Sequence, residues 1–363
     1  MASDSKFRVA LIGYGLAGAN FHAPFIHRTA NLELTAIVTS DSQRASQAVS
    51  EYPETEILSQ ASEVFSSASK YDLLVIAAPN KFHYPLCVQG LESGLAVVVD
   101  KPIATSSEQV RTLIDLSRKQ KKLLTVFQNR RWDADFLTMQ KIIAANSLGK
   151  LTRFESRFER FRPEPKKEAW RESAEAADAG GLLFDLGSHL IDQACVLFGR
   201  PHSVYAEVRT VRPGALVDDD VFVALKFAHE IVAHLWASCV ASSPAPRFRI
   251  SGINGSFEKY GLDPQEDALR AGKRPVGAEW GAEAEDSWGH IYSGKNGVVT
   301  REKIASECGA YQHFYANLAA ALDGKAQLAV TPEDSLLTTE IIEAAFRSSI
   351  YGRSELIEPI EPN

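Results

Sequence analysis

Three side chains in this sequence stand where they could move a proton or steady a charge: Lys101, Asp185 and His189. Asp185 and His189 lie four apart within Gly180-Gly181-Leu182-Leu183-Phe184-Asp185-Leu186-Gly187-Ser188-His189-Leu190-Ile191-Asp192. On a helix that spacing projects a carboxylate and an imidazole from one face. Leu186, Leu190 and Ile191 around them predict a mostly buried helix. Such a pair is either a satisfied buried polar pair or the acid/base part of an active site, and the residues alone leave both readings open. Asp192, three beyond His189, reads as structural. Lys101 sits between a strand end and Pro102. It is either a solvated turn residue or an ammonium placed against a reacting oxygen, with Pro102 fixing the backbone there.

The elements that must position these groups are legible in the first half of the chain. Phe7–Ile12 is a short apolar strand that runs straight into Gly13-Tyr14-Gly15-Leu16-Ala17-Gly18. That placement is what a dinucleotide-binding turn requires: glycines for the tight turn, for close approach of a pyrophosphate and for close helix–strand packing. Further apolar strands are expected at Glu33–Val38, Tyr71–Ala78, Leu95–Val99 and Leu123–Phe127, with helices between them. Thr105-Ser106-Ser107-Glu108 reads as a capping box. Strands alternating with helices predict a doubly wound parallel sheet, whose ligands bind at the carboxyl ends of the strands. Those ends carry Thr39-Ser40, Pro79-Asn80…His83, Asp100-Lys101-Pro102 and Gln128-Asn129-Arg130. Small hydroxyls at Thr39 and Ser40 with Arg44 just beyond suit a 2′-phosphate, so NADP(H) is the expected cofactor, while Asp41 keeps NAD(H) open.

Beyond Leu151 the texture changes. Residues 152–160 alternate with one charged face, and strands are expected at Ser203–Val211, Val221–Phe227, Ile231–Cys239, Arg247–Gly252 and Ser256–Tyr260. Asn254-Gly255 is a hairpin signal. Asp263–Gly297 reads as a long irregular excursion, and two helices, near Ala310–Asp323 and from Thr331-Pro332 to Gly352, close the chain. The expected architecture is α/β: an N-terminal Rossmann domain over 1–128, then an α+β substrate-binding and oligomerisation domain over 129–363 with a large, mostly antiparallel open sheet.

The composition narrows the function classes. A net charge of −7 argues against nucleic-acid binding. No apolar run is long enough to span a membrane, and Tyr14, Asn20 and His22 interrupt the faint resemblance of the N-terminus to a secretory signal. The four cysteines, 87, 195, 239 and 308, are too far apart for a zinc site or a disulfide framework, which fits a reducing, cytoplasmic location. No metal is expected, because one i,i+4 pair lacks a third matched ligand.

A nucleotide domain followed by Asp185 and His189 points to hydride transfer. His189 would take the hydroxyl proton of an alcohol, Asp185 would orient the imidazole, and Lys101 would stabilise negative charge on the oxygen.

The glycine turn, Pro79-Asn80…His83, Asp100-Lys101-Pro102 and Asp185…His189 together resemble the Gfo/Idh/MocA family of NAD(P)-dependent sugar and polyol oxidoreductases, over nearly the whole chain. The third motif usually reads Glu-Lys-Pro there, so Asp100 is a departure. The resemblance implies that Lys101 is the catalytic lysine, that Asp185 and His189 are the second-domain part of the site, and that Pro79, Asn80, His83 and Pro102 belong with Gly13, Gly15, Gly18 and Lys101 on the cofactor side. Phe127–Asp133, Phe161-Arg162-Pro163, Trp170-Arg171-Glu172 and Tyr260–Glu266 are similar to a branch of NADP(H)-dependent scyllo-inositol dehydrogenases. That branch implies a small polyol substrate and a homodimer or homotetramer. Asn129, Arg130, Arg162 and Trp170, with Asp185 and His189, are the candidate contacts for its hydroxyls, while packing or pairing at the domain junction is the other reading of Arg162 and Trp170. Two rivals share the fold: a dehydrogenase for an aldose or other sugar derivative, and a non-catalytic NAD(P) sensor.

Overall fold

A computed structural model describes residues 6–166, 172, 175–295 and 298–358. Its contacts divide the chain into two units. The first runs to Asn129 and takes back Gln265–Ala278 and Tyr311–Ser335; the second holds Arg130–Pro264, Glu279–Ala310 and the chain from Leu336. Each unit is thus assembled from more than one stretch of the chain.

In the first unit, β1 (Phe7–Ile12), β2 (Leu32–Val38), β3 (Glu56–Leu58), β4 (Leu73–Ile76), β5 (Ala96–Asp100) and β6 (Leu124–Phe127) form one sheet in the order β3-β2-β1-β4-β5-β6. Every pair is parallel. Strands covered on both faces need continuous apolar runs, and β4, with all four residues buried, shows this most clearly. The order reverses between β1 and β4, which opens the crevice where such sheets take their ligands. β3 escapes the sequence pattern because it has three residues and only Leu58 is buried. The cap of helix Ser107–Gln120 is Ser106, not Thr105: Ser106 Oγ accepts from the Gln109 N–H at 3.3 Å. The returning helix Gln312–Leu322 brings Tyr311 within 6.4 Å of the Phe25 ring.

The second unit is built on β7 (Leu151–Glu159), β8 (Ser203–Arg209), β9 (Asp220–Lys226), β10 (Val232–Ser238), β11 (Phe248–Gly252), β12 (Gly255–Lys259), β13 (Gly289–Lys295), β14 (Val298–Ile304) and β15 (Glu355–Leu356). They pair in the order β14-β13-β12-β11-β7-β10-β9-β8-β15. Only β7 and β10 run parallel. The alternation in β7 puts Phe154, Ser156 and Phe158 in the core. On the opposite face Glu155 bridges Arg153 and Arg157, and the Arg157 guanidinium lies 3.9 Å from the Trp236 ring. The hairpin turn falls one residue earlier than expected, at Ile253-Asn254, since Gly252 pairs with Gly255. The described residues between 263 and 295, expected to be irregular, contain helix Gln265–Arg270 and β13. Aromatic packing under the sheet centres on Phe154 and Phe248, 5.8 Å apart.

Candidate active site

The glycine turn is set by close approaches. A Cβ on Gly18 would sit 1.9 Å from the Gly13 carbonyl oxygen, and one on Gly13, at φ +97°, 2.5 Å from that of Ala77. These two glycines let the helix and the β4 end pack onto the turn. Gly15 is different: within 4 Å a Cβ there would meet only the Arg44 guanidinium, at 3.7 Å. A side chain would fill this cradle, and a pyrophosphate fits where the side chain is missing. The helix that follows has a π-turn at Gly18–His22, a distortion common at functional sites.

Arg44 is exposed, with its guanidinium beside the turn. Thr39 is half-buried and Ser40 exposed at the β2 end. The Asp41 carboxylate accepts the Arg44 backbone N–H at 2.9 Å and so caps helix Ser42–Glu51. The carboxylate that kept NAD(H) open is thus engaged at the helix start. The residues present fit a nicotinamide dinucleotide.

Lys101 stands at the end of β5, half-buried, before a cis peptide bond to Pro102. Its neighbours are pinned on both sides. His83 is buried with both ring nitrogens on backbone carbonyls, Nδ1 2.7 Å from Pro102 O and Nε2 2.8 Å from Ala78 O. Burial lowers its pKa against the pull of these carbonyls and of Asp100. With its ring nitrogens against these two carbonyls, His83 lies between the ends of β4 and β5. On the other side, Asp100 meets His22, which meets Tyr315. Asn80 is buried and Pro79 exposed at the β4 end.

Sequence reading placed Gln128 at the ligand edge without giving it a role, and gave none to His22 or Tyr315. Gln128, just past β6, is 3% exposed, and its Oε1 has no hydrogen-bond partner. Its place at a strand end was the available signal.

In the second unit, Asp185 lies in a π-turn, Leu183–Gly187, that leads into helix Ser188–Phe198 bearing His189. Asp185 is half-buried and His189 6% exposed. The start of this element is held by Asp218, which nothing in the local sequence announced. Its carboxylate accepts the Leu183 N–H at 2.7 Å and its carbonyl the Leu182 N–H at 2.9 Å. Gly181, at φ +93°, makes room, since a Cβ there would sit 2.0 Å from Asp218 Oδ1. Burial pushes the Asp218 carboxyl up to about 6, although the backbone N–H groups oppose the rise.

The same helix is tied down by arginines. Arg131 grips the Asp192 carboxylate with Nε at 2.8 Å and Nη2 at 2.6 Å, so Asp192 has the structural part expected of it. Arg247, buried between the rings of Phe158 and Phe248, donates to Gln193 Oε1 at 2.9 Å. Gln193 in turn donates to the Arg130 carbonyl at 2.8 Å. Arg130 itself lies 4.8 Å over Phe158, with Asp133 3.4 Å from its Nη1. Arg162 is exposed, and its segment is held through the backbone: its N–H donates to Cys239 O at 2.7 Å and its carbonyl accepts from Arg212 at 3.3 Å. Asn129 is half-buried at the start of a 3-10 turn, Asn129–Trp132. Trp170 lies outside the described residues. Among the described residues no group of three or more His, Cys, Asp or Glu could hold a metal ion, and no helix is long and apolar enough to cross a membrane.

Comparison with known proteins decides the family. Residues 7–128 match the NAD-binding Rossmann model of the Gfo/Idh/MocA oxidoreductases, and residues 136–258 match their C-terminal domain. The chain belongs to the Gfo/Idh/MocA oxidoreductase family. Two relatives of this family extend over almost its full length. The uncharacterized oxidoreductase YdgJ of Escherichia coli is 36% identical, covering 95% of this chain and 97% of its own. The scyllo-inositol 2-dehydrogenase (NADP(+)) IolW of Bacillus subtilis is 34% identical, covering 97% and 96%. Among solved structures, the protein yvaA of Bacillus subtilis superposes with a TM-score of 0.93 at 33% identity, over 99% of this chain and 100% of its own. As a Gfo/Idh/MocA oxidoreductase, the chain has the NAD-binding Rossmann unit that its glycine turn announced.

Proposed function

We propose that this oxidoreductase interconverts a cyclic polyol and its ketone, with scyllo-inositol and scyllo-inosose as the pair and NADP(H) as the preferred cofactor. The observation that carries the cofactor choice is the Arg44 guanidinium beside Gly15, with the Asp41 carboxylate engaged as a helix cap. The substrate reading is supported by likeness to the NADP(+)-dependent inositol enzyme of Bacillus subtilis. Gly13, Gly15 and Gly18 would cradle the pyrophosphate, Thr39, Ser40 and Arg44 the 2′-phosphoribose, and Pro79, Asn80, His83, Lys101 and Pro102 the nicotinamide side. When bound, NADP+ accepts the hydride that leaves the carbinol carbon.

The chain's own residues handle the proton and the charge. His189 takes the hydroxyl proton on a ring nitrogen, and Asp185 favours the imidazolium that results. The Lys101 ammonium stabilises negative charge developing on the oxygen. Asn129, Arg130, Arg162 and Trp170 are proposed to recognise the remaining hydroxyls, and Gln128 Oε1 offers a further acceptor. A homodimer or homotetramer in the cytoplasm is the working form we infer.

The test is nicotinamide absorbance with scyllo-inositol, myo-inositol, glucose and xylose, each with NADP+ and NAD+. Reduction of NADP+ with scyllo-inositol, lost in Lys101→Ala and His189→Ala, is the expected result. Arg44→Ala should weaken NADP+ binding about 10- to 100-fold, the loss of one charge-assisted phosphate contact, and leave NAD+ nearly unchanged. Activity confined to an aldose overturns the polyol assignment, and equal weakening of both cofactors overturns the 2′-phosphate role.

A further inference from the structure

We propose that His22 is a positioning residue for the reaction: backed by Tyr315, it holds the Asp100 carboxylate in place beside Lys101 and so keeps the lysine as a fixed ammonium, a role that rests on Lys101 being the reacting cation. His22 lies in the π-turn after the glycine cradle, and its side chain is wholly buried. Its Nε2 is 3.1 Å from Asp100 Oδ1 and its Nδ1 2.6 Å from the Tyr315 hydroxyl. The Phe127 ring packs 4.4 Å from the imidazole. The three members come from positions 78 and 293 residues apart, yet all lie within the first unit.

Valence fixes the direction of this chain. A carboxylate only accepts, so Nε2 carries the proton toward Asp100. Nδ1 is then free to accept from the Tyr315 O–H, which burial keeps protonated by raising its pKa well above the ordinary value. Burial would also raise the Asp100 carboxyl. The hydrogen bond that His22 donates and the charge of Lys101 are among the interactions that outweigh it and hold Asp100 below the ordinary carboxylate range. Two wholly buried polar groups, His22 and Tyr315, placed only to fill space would be replaceable by apolar residues of similar volume at no polar cost. A satisfied chain that ends one residue before Lys101 has a different use. It fixes a negative charge on the residue that precedes the lysine and interacts with it, while His83 lies against the carbonyl of the residue that follows. The groups of this unit that act on Asp100 are His22 from the turn after β1, Tyr315 from Gln312–Leu322, His83 from the segment after β4, and Lys101 itself.

The test titrates Lys101 directly. Acylation by acetic anhydride across a pH series, read on the Lys101 peptide by mass spectrometry, follows the ammonium without any turnover. In full-length protein the midpoint should fall by about one pH unit in Asp100→Asn and in His22→Leu, as expected when a neighbouring opposite charge is lost or misplaced. His22→Gln, whose amide nitrogen can donate to Asp100, should restore it. Tyr315→Phe should shift it the same way by less. With the substrate that the wild type oxidises, kcat should fall about tenfold or more in His22→Leu while NADP+ affinity holds within about twofold, the signature of misplacement at the reacting centre. An unmoved midpoint in Asp100→Asn and His22→Leu overturns the proposal even if activity drops, because a merely structural role lowers activity without touching the titration. Should His22→Leu not fold, Asp100→Asn and Tyr315→Phe decide on the same criterion. A wild type that oxidises no polyol would refute the substrate reading and leave the acylation result standing.

Discussion

The two units hold their site residues by different means. In the first, the cradle is made of backbone: Gly13 and Gly18 are pressed against carbonyls of the turn and of β4, and His83 binds two carbonyls. In the second, the element bearing Asp185 and His189 is held largely by side chains from distant sequence. Asp218 reaches the Leu183 N–H across 35 residues, Arg247 reaches Gln193 across 54 and Arg131 reaches Asp192 across 61. Backbone contacts tolerate no added atom. Side-chain ion pairs tolerate no lost partner, because a buried charge left alone is costly.

The sharpest way to break this contrast is Asp192→Ala. It removes the carboxylate that Arg131 grips with two nitrogens, and a loss of about 3–5 kcal/mol is expected in urea unfolding of the second unit. NADP+ binding should stay intact at low denaturant; a stability change within error would show that the arginine grip contributes little.

Asp218 gives a pH-resolved version. Its carboxyl is raised from 3.8 to about 6 in the fold. A raised acid stabilises the fold fully below its unfolded pKa, and that contribution is lost as pH rises from about 4 through about 6. The stability of the wild type relative to Asp218→Asn should therefore decline across this window, by on the order of 3 kcal/mol for complete loss. A difference that is flat between pH 4 and 7 would remove Asp218 from the titrating groups.

The smallest effect belongs to the backbone-held side. Gly18→Ala forces a methyl toward the Gly13 carbonyl and should cost about 1–3 kcal/mol, read as weakened NADP+ binding and earlier melting of the first unit. Unchanged affinity would show that the turn relaxes, and the contrast between the two units would lose one side.

Much of this was legible before any coordinates. The first sheet was readable because parallel strands buried on both faces must be apolar throughout, and the glycine turn because its spacing is local. β7 was readable from strict alternation. The helix register at Ser106 and the turn at Ile253-Asn254 each slipped by one residue, since cap and hairpin signals fix chemistry better than position. The strands β3 and β15 are too short to show a period. At the candidate site, Lys101, Asp185 and His189 stood out by type and setting. Their supports did not: a lone Asp218, His22 or Tyr315 carries no local pattern that marks it.

The sequence by itself determined the order of the main elements, the parallel and alternating sheets and the glycine turn, because each depends on periodicity or spacing within a short stretch. Tertiary structure alone decided that His83 meets the Pro102 carbonyl, that Asp192 belongs to Arg131 and that Asp100 is bound through His22 to Tyr315. These are pairings of polar groups far apart in the chain. Which donor meets which buried acceptor is fixed only when the fold closes and water is no longer there to satisfy them.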